Sequence, residues 1–354
     1  MTTDSANASK VGAWPSPPHA TLLGATPANI ERCAKALVQG QLVAFPTETV
    51  FGLGAAVNQA EAVAGIFKAK GRPADHPLIA HASPGFDWAD GWIQFNHSTQ
   101  QQQFEALTRA FWPGPLTLVL PKGSRMPSQV TGGQDSVGIR CPSHSVAKAL
   151  LCAAGVPVAA PSANRFGKVS PTRAVHVMAE LGDRIPWVLD GDIPEVGIES
   201  TIVSLLEKSP RILRPGAITA QQLGEVLGQP VEGFIKSSAL QNNPRVSGAL
   251  EKHYSPDAKV RVITALGLGE FTPVGSTLCV GWGDAFLTRA DALRTRHPHV
   301  MVEALGNSPN EVAKNLYATL RQADELNCSQ VLFEQPGIGE EWEGVADRLK
   351  RASA

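Results

Sequence analysis

The stretch from Phe45 to His81 combines side chains that are suited to binding a small anion. An apolar run breaks at Pro46 into the hydroxyl and carboxyl cluster TET at 47–49, and two glycines follow. A helical segment then ends in three cations: Lys68, Lys70 and Arg72. A second apolar run closes on His81. Small polar groups, flexible backbone and clustered cations in one stretch favour a small-molecule anion site over a purely structural core.

The cations also have a structural explanation, because the helix dipole favours positive charge at the end of a helix. Two further arginines, Arg140 and Arg214, stand at the ends of predicted strands beside polar loops. The guanidinium fork binds phosphate and carboxylate through two hydrogen bonds at once. These positions are therefore candidates for anion ligands.

Familiar nucleotide and catalytic signatures are absent from the sequence. Neither GxxxxGK[ST] nor GxGxxG occurs, so any ATP site is expected to lack a P-loop. No HExxH zinc motif and no GxSxG nucleophile elbow occurs either. His76 and His81 flank one predicted strand, which leaves a zinc pair open as an alternative.

The composition is that of a globular protein long enough for two domains: 354 residues, 43% hydrophobic and 18% charged. A net charge of −1 gives no global basic field for nucleic acid, so any RNA contact must be local and weak. No signal peptide and no membrane-length apolar run occurs, which predicts a cytoplasmic protein without a membrane partner. The five cysteines are widely spaced and are interpreted as small buried hydrophobes in a reducing compartment.

Hydrophobic periodicity divides the chain into four parts. Residues 1–20 are expected to form a flexible tail. Residues 21–228 alternate strands, helices and glycine or proline turns, which indicates an α/β domain built on a mixed sheet. Helices are predicted at 29–38, 59–69 with Asn58 as its cap, 98–111, 145–154, 173–181 and 219–227. Strands are predicted at 42–45, 77–81, 116–120, 137–141, 156–160, 187–190, 200–206 and 211–214.

Residues 229–256 are polar and irregular and are predicted to form a linker. Residues 257–354 alternate strands at 260–264, 277–281, 300–304 and 330–334 with helices, which predicts a smaller doubly wound, Rossmann-like α/β domain. The clearest helix of this domain starts at the capping box from Ser308 to Glu311.

Between residues 22 and 256 the chain carries a series of short motifs: PTETVFGLG, KAKGRPADHPLIAH, PGPLTLVLP, SVGIRCP, PSANRFGKVSPT, ESTIV, LRPGAI and KHYSP. In number and order they resemble the motifs of the YrdC-type threonylcarbamoyl-AMP synthase family in its long, two-domain form. The resemblance implies a YrdC-like mixed, twisted sheet with helices for the first domain. One departure is Phe51, where the family often carries Tyr, so a hydroxyl contact is lost.

The resemblance also implies an activity. Such an enzyme is a nucleotidyltransferase that makes threonylcarbamoyl-adenylate and pyrophosphate from L-threonine, bicarbonate and ATP. Mg²⁺ would accompany the ATP, without ligands from protein side chains. The product would pass to a tRNA threonylcarbamoyl-transferase, for N6-threonylcarbamoyladenosine formation at position 37 of tRNA.

Fifteen positions match functional positions of that family. The threonine pocket would be formed by Thr49, His81, Arg140, the backbone of Ala160 and Ser200. ATP would be handled by Lys70, Arg72, His76, Ser136, Ser162, Asn164, Ser170, Arg214, His253 and Tyr254. Arg140 is the natural clamp for the carboxylate. No general acid or base is assigned, because adenylation of a carbamate needs mainly positioning and charge stabilisation.

The sequence is also compatible with two other functions, and it suggests one conformational change. The chain could be an RNA-binding module without catalysis, or a carbamoyltransferase that uses preformed carbamoyl phosphate. If the chain is a synthase, a site that stays open to solvent would lose the carbamate by hydrolysis. The linker that carries His253 and Tyr254 is therefore expected to close as a lid.

Overall fold

Two sheets organise the protein, which we describe from a computed structural model of residues 19–234, 244–248 and 253–354. A mixed sheet of ten strands fills the N-terminal part, and a parallel sheet of four strands lies in the C-terminal part. Both confirm the predicted fold class. Residues 1–18, most of the predicted tail, lie outside the described residues. Ala20 is buried and its N–H donates to the carbonyl of Gly182, so the folded part already includes the last residue of that tail.

The large sheet has the strand order β1-β8-β2-β3-β7-β4-β6-β5-β9-β10. Its strands are β1 Thr21–Leu23, β2 Val43–Pro46, β3 Phe51–Ala56, β4 Ile79–His81, β5 Leu116–Pro121, β6 Ser136–Arg140, β7 Val158–Ala159, β8 Trp187–Leu189, β9 Thr201–Ser204 and β10 Arg211–Arg214. Some neighbouring strands are parallel, such as β4 with β6, and others are antiparallel, such as β2 with β3. The sheet is therefore mixed, as predicted.

Strand register brings several predicted site residues to one edge of this sheet. His81 pairs with Arg140, so the two lie side by side at the carboxyl ends of parallel strands. Strand β5 runs antiparallel to β6 and parallel to β9, which puts the start of β9 at the same edge. Ser200 precedes β9, and Arg214 ends its antiparallel neighbour β10. Residues that are far apart in sequence therefore meet at this edge.

Among the described residues, seven helices accompany the large sheet: α1 Pro27–Val38, α2 Ala60–Lys70, α3 Ser98–Phe111, α4 Ser128–Thr131, α5 Ser145–Ala154, α6 Ala174–Leu181 and α7 Ala220–Leu227. Thr26 caps α1, and Pro27 occupies the first turn, where its missing N–H costs nothing. The predicted cap of α2 was wrong: Gln59, not Asn58, is the N-cap residue, and it makes no side-chain capping bond. Strands β1 and β3 were not predicted, because β1 is three residues long and β3 is rich in glycine and alanine.

The C-terminal sheet has the order β11-β14-β12-β13, with all neighbours parallel. Its strands are β11 Lys259–Ile263, β12 Thr277–Gly281, β13 Val300–Ala304 and β14 Gln330–Glu334. Helices α10 Pro309–Glu325 and α11 Glu343–Ala352 share one apolar core with it, and α8 Ala265–Glu270 and α9 Asp284–Arg296 share another. The predicted doubly wound arrangement is confirmed, and so is the capping box of Ser308 with Glu311.

All five cysteines are free thiols, and four of them are buried. Cys152 is exposed on α5, so its interpretation as a buried hydrophobe was wrong. Within the described ranges, no helix combines the length and the apolarity needed to cross a bilayer.

Candidate active site

A pocket lies where the sheet edge described above meets the turn after β2, the loop after β7 and part of the linker. Its space is about 500 Å³, part of which opens to solvent. Ten of the predicted site residues line it: Thr49, Arg72, His81, Arg140, Ala160, Ser162, Ser200, Arg214, His253 and Tyr254. All five predicted threonine-binding positions are among them.

Arg140 is held at this pocket by protein acceptors on every nitrogen. Nε donates to the Gly114 carbonyl at 3.3 Å, and Nη1 and Nη2 each lie 3.1 Å from Thr49 Oγ1. Nη2 also lies 2.7 Å from Glu48 Oε1, and both side chains of this ion pair are almost fully buried. The candidate carboxylate clamp is thus already neutralised by a carboxylate of the protein.

The turn between β2 and β3 presents these groups because its hydroxyls hold its own backbone. Thr47 Oγ1 donates to the Val50 carbonyl at 2.7 Å and lies 2.9 Å from Thr49 Oγ1. Thr47 also lines the pocket, although sequence reasoning did not assign it a role. The cluster seen in the sequence is therefore a hairpin turn that presents Thr49 to the pocket and Glu48 to Arg140.

His81 is neutral in the folded protein. Burial, followed by the charge of Arg140, lowers its pKa to about 3. Nδ1 lies 3.1 Å from the Ile79 carbonyl, which can only accept, so Nδ1 carries the proton and Nε2 keeps a lone pair. At neutral pH, His81 can accept a hydrogen bond from a ligand, and it is too weak a base to remove a proton.

The remaining groups of this end are Ser200 and the backbone of Ala160. Ser200 Oγ lies 2.7 Å from Thr117 Oγ1, deep in the sheet. The Ala160 N–H already donates to the Ile79 carbonyl, so its own carbonyl is the group left for a ligand. The hydroxyls, the acceptor nitrogen of His81 and the neutralised arginine give this end donors and acceptors with little net charge.

A second part of the pocket, beyond Ser200, carries two buried guanidinium groups, Arg72 and Arg214, whose charges influence each other. Arg214 donates to the backbone oxygen of Ser200 at 2.9 and 3.1 Å and to that of Ser247 at 2.8 Å. Arg72 donates to the Pro77 carbonyl at 3.1 Å, and its Nε has no partner among the described residues. Burial lowers the pKa of both groups, that of Arg72 to about 10, so both stay charged.

Neither arginine forms an ion pair within residues 19–234, 244–248 and 253–354. Burying a charge without a counter-charge costs several kcal/mol, roughly, unless a ligand supplies the opposite charge. This end of the pocket is therefore suited to an anion.

Lys70 and Asn164 lie behind the pocket wall rather than on it. Lys70 Nζ donates to the backbone oxygens of Ser162 at 2.6 Å and Asn164 at 2.5 Å. The Asn164 amide donates to the Arg165 and Lys168 carbonyls. Both side chains hold the loop that carries Ser162. In this arrangement they bind protein carbonyls and do not face the pocket, where a phosphate would lie.

Three other predicted ATP positions also lie away from the lining. His76 is half-buried, 5.4 Å from the Phe166 ring. Ser136 lines a neighbouring cavity that shares Ile79 and Ser247 with the pocket. Ser170 Oγ donates to Glu199 Oε1 at 2.6 Å, which leaves it only acceptor capacity.

His253 and Tyr254 close the pocket from the linker side. Burial, and then nearby cations, lower the pKa of His253 to about 3, and its Nδ1 has no partner among the described residues. Tyr254 has a left-handed backbone conformation, with φ of 60°. Ser247 and Gly248 line the pocket as well, and Ser247 is tied to it by Arg214.

Comparison with known proteins identifies the family of this chain. A family model named for Sua5, YciO and YrdC, with the description "Telomere recombination", matches residues 35–216. A second model, "Threonylcarbamoyl-AMP synthase, C-terminal domain", matches residues 218–354. A curated threonylcarbamoyl-AMP synthase of Pyrococcus abyssi is 36% identical over 328 residues, which cover 89% of this chain and 91% of that protein. The chain belongs to the threonylcarbamoyl-AMP synthase family.

Two further relatives support the same family. The threonylcarbamoyl-AMP synthase of Bacillus subtilis is 40% identical over 336 residues and 92% of each chain. The crystal structure of P. abyssi Sua5 complexed with L-threonine superposes with a TM-score of 0.81 at 33% identity, covering 94% of this chain and 97% of that one. The two-domain form predicted from the motifs is thereby confirmed.

The regions of the chain that the two family models match both contribute residues to the pocket. The first supplies Thr49, Arg140 and Arg214, and the second supplies His253 and Tyr254. Sequence reasoning missed Glu199, which lines the pocket, although the ESTIV motif contained it. It also missed the C-terminal side chains that contact Glu199, for which no motif gave a signal.

The described residues around the pocket do not fit a metal ion held by the protein. Within the described residues, no three His, Cys, Asp or Glu side chains lie close enough to ligate one. The carboxylates nearest the pocket, Glu48 and Glu199, are both engaged by arginines. A carboxylate that is already paired in this way is a poor ligand for a hard cation such as Mg²⁺.

Proposed function

We propose that this protein is an L-threonylcarbamoyladenylate synthase, which converts L-threonine, bicarbonate and ATP into threonylcarbamoyl-adenylate and pyrophosphate. One observation carries the proposal: a single pocket has a charge-neutralised end at Arg140 and an end with two unneutralised buried cations. A zwitterion suits the first end and a polyanion suits the second. The likeness to the threonine complex of P. abyssi Sua5 supports the first assignment.

At the first end, Thr49, His81, Arg140, the Ala160 carbonyl and Ser200 would bind threonine. Arg140 would share its donors between Glu48 and the threonine carboxylate. The Nε2 lone pair of His81 and the Ala160 carbonyl would accept from the amino group. Thr117 and Ser200 form a hydroxyl pair that can meet the β-hydroxyl of the substrate.

At the second end, Arg72, Ser162, Arg214, His253 and Tyr254 would contact ATP. The two guanidinium groups would neutralise the triphosphate, and Lys70 and Asn164 would hold the Ser162 loop. His76, Ser136 and Ser170 remain proposed ATP positions, and Ser170 would act as an acceptor because its proton is donated to Glu199. Mg²⁺ would arrive on the triphosphate oxygens of the substrate rather than on protein ligands.

The chemistry asks the protein for positioning and for charge. The threonine amine forms an N–C bond with bicarbonate, with loss of water, and yields a carbamate. A carbamate oxygen then attacks the α-phosphorus, and pyrophosphate leaves with the electrons of the broken P–O bond. Arg72 and Arg214 would stabilise the charge that develops on the phosphate oxygens.

We also propose residues 247–256 as the cover of this site. Ser247 is bonded to Arg214, and the N–H groups of His253 and Ser255 donate to the carbonyls of Arg351 and Gly167. The described residues of this segment are therefore tied to Arg214, to α11 and to the loop after β7, whereas residues 249–252 lie outside the described ranges. Its deletion is expected to abolish turnover, whereas unchanged turnover would remove its role as a cover.

The product would serve N6-threonylcarbamoyladenosine formation at position 37 of tRNA, in the cytoplasm. A tRNA threonylcarbamoyl-transferase would consume it, and any RNA contact of this chain itself would be weak. The predicted boundaries at residues 228 and 256 remain part of this proposal.

Pyrophosphate release tests the proposal most directly. We expect release only when L-threonine, bicarbonate and ATP are all present. Carbamoyl transfer from carbamoyl phosphate in the absence of ATP would identify a carbamoyltransferase instead. RNA binding that falls steeply with salt, without pyrophosphate release, would identify an RNA-binding module.

A further inference from the structure

Glu199 brings a negative charge to the end of the pocket that should hold a polyanion. Glu199 lines the pocket, and its charge interacts with that of Arg214. Burial alone would raise the pKa of Glu199, but Arg348 and then Arg214 outweigh it and hold the pKa at about 2. Glu199 is therefore ionised at neutral pH, and it would compete with a ligand for Arg214 unless another cation engaged it.

That cation comes from the last helix of the chain. Arg348 of α11 donates from Nε to Glu199 Oε2 at 3.0 Å, and its side chain is fully buried. Its Nη1 donates to the Pro215 carbonyl at 2.8 Å and its Nη2 to the Glu199 carbonyl at 3.2 Å. One side chain thus joins the loop before β9, which carries Ser200, to the loop that directly follows Arg214 at the end of β10.

A second C-terminal side chain completes the arrangement. Tyr317 of α10 donates from its hydroxyl to Glu199 Oε2 at 2.8 Å. Its ring stacks on Tyr254 at 5.3 Å, and Arg348 lies 5.6 Å from the same Tyr254 ring. The groups that hold Glu199 therefore also hold a residue of the pocket lining.

The C-terminal helices are packed close enough to fix these contacts. A Cβ on Gly197 would lie 2.4 Å from Lys314 Cα, and one on Gly344 would lie 3.1 Å from the Gly216 carbonyl. Val50, Val169, Ile198 and Tyr254, from the site segments, belong to the apolar core of the C-terminal sheet. The contact between the two parts is thus continuous with a hydrophobic core.

We propose that Arg348 is a positioning residue for the polyanion end of the pocket: it neutralises Glu199 and so leaves Arg72 and Arg214 available to a triphosphate. The proposal rests on the proposed function for the identity of that ligand. It gives the C-terminal domain a defined part in the site, because the counter-charge comes from its last helix.

Binding of inorganic tripolyphosphate and of L-threonine, measured separately by calorimetry on the full chain, tests this role without requiring turnover. In Arg348→Met, Glu199 turns its charge toward Arg214, and the Kd for tripolyphosphate rises about tenfold or more, which corresponds to about 1.4 kcal/mol. The Kd for L-threonine changes about twofold at most. The control is Lys350→Met, the same loss of charge at an exposed position of the same helix, which leaves both values unchanged.

The double variant Glu199→Gln/Arg348→Met separates charge from folding. It removes both buried charges, so it folds and its Kd for tripolyphosphate returns to within about threefold of the wild type. The proposal is overturned if the double variant binds tripolyphosphate as weakly as Arg348→Met, if Arg348→Met binds it as the wild type does, or if the wild type does not bind it. If the wild type binds tripolyphosphate but releases no pyrophosphate from L-threonine, bicarbonate and ATP, the result would count against the proposed function alone.

Discussion

Arg140 and Glu48 form a buried ion pair, with Nη2 2.7 Å from Oε1. Neither Glu48 oxygen has a well-aligned hydrogen bond among the described residues. The attraction between the two charges is therefore the main interaction that holds the Glu48 carboxylate. The pair gives one end of the pocket a fixed guanidinium with no net charge. A ligand that carries both an ammonium and a carboxylate matches such an end better than a simple anion does.

Arg140→Ala should weaken the use of L-threonine far more than the use of ATP. The substitution also leaves Glu48 buried and unpaired, which is expected to cost about 3–5 kcal/mol of stability. Steady-state kinetics with each substrate varied in turn, together with thermal unfolding, measure the two effects. Equal increases in both KM values would place Arg140 at the nucleotide.

The double variant Glu48→Gln/Arg140→Met is the matched control for folding. It removes both charges, so the unfolding temperature should recover much of the loss seen in Arg140→Ala. L-threonine binding should stay impaired, because the clamp is still missing. Recovery of binding together with stability would show that Arg140 acts only on the fold.

Arg72→Met should lower function without lowering the stability of the ligand-free protein. Arg72 makes a single hydrogen bond to the Pro77 carbonyl among the described residues, and its burial as a cation is unfavourable. We expect an unchanged or higher unfolding temperature without ligand and a KM for ATP raised about tenfold or more. Lys68→Met, at an exposed position of the same segment, should alter neither. A lower unfolding temperature with an unchanged KM would contradict the assignment.

Acid should destabilise the protein through the histidines of the pocket. The pKa values of His81 and His253 are lowered to about 3, by burial first and then by nearby cations. Below about pH 6.5 the unfolded chain gains protons that the folded protein does not accept until about pH 3. Stability is therefore unaffected above this window and is lost progressively as the pH falls through it.

The measurement is urea unfolding at pH 7 and pH 5.5. Each of these two histidines should cost about 1.3 kcal/mol at the lower pH. His253→Gln should reduce the difference between the two pH values by about that amount. Glu199 does not interfere, because a group with a pKa of about 2 loses its contribution only as the pH falls below its ordinary value of 4.5. An unchanged difference in the variant would mean that His253 titrates normally.

Gly197→Ala should disturb the contact between the two parts of the protein. Gly197 has φ of 76°, and a Cβ there would run into the backbone of Lys314. Gly228→Ala is the control, since φ is 64° and no heavy atom lies within 4 Å of the added carbon. The control should cost about 1 kcal/mol from backbone strain, and Gly197→Ala clearly more, with loss of activity. Equal effects in thermal unfolding would mean that α10 moves away at little cost.

Much of the fold could be predicted because its signals are local. The stripe of Val312, Leu316 and Leu320, with the Ser308 capping box, specifies α10 within one segment of sequence. The parallel C-terminal sheet was predicted from strands and helices that alternate with short connections. Strand β3 escaped prediction because its glycines and alanines carry no strand signal of their own. Gly54 has to be a glycine there, since Phe45 and Val158 leave no room for a Cβ.

For the site, the sequence by itself determined which short motifs are present, and these named ten residues of the pocket lining in advance. Only the tertiary structure decided how the charges are distributed. Lys70 donates to the backbone of the Ser162 loop, Glu48 neutralises Arg140, and Arg348 reaches Glu199 from 149 residues further along the chain. Motifs report residue types and spacing, whereas burial and the nearest counter-charge depend on which distant segments pack together. Those contacts set which arginines remain available to a ligand.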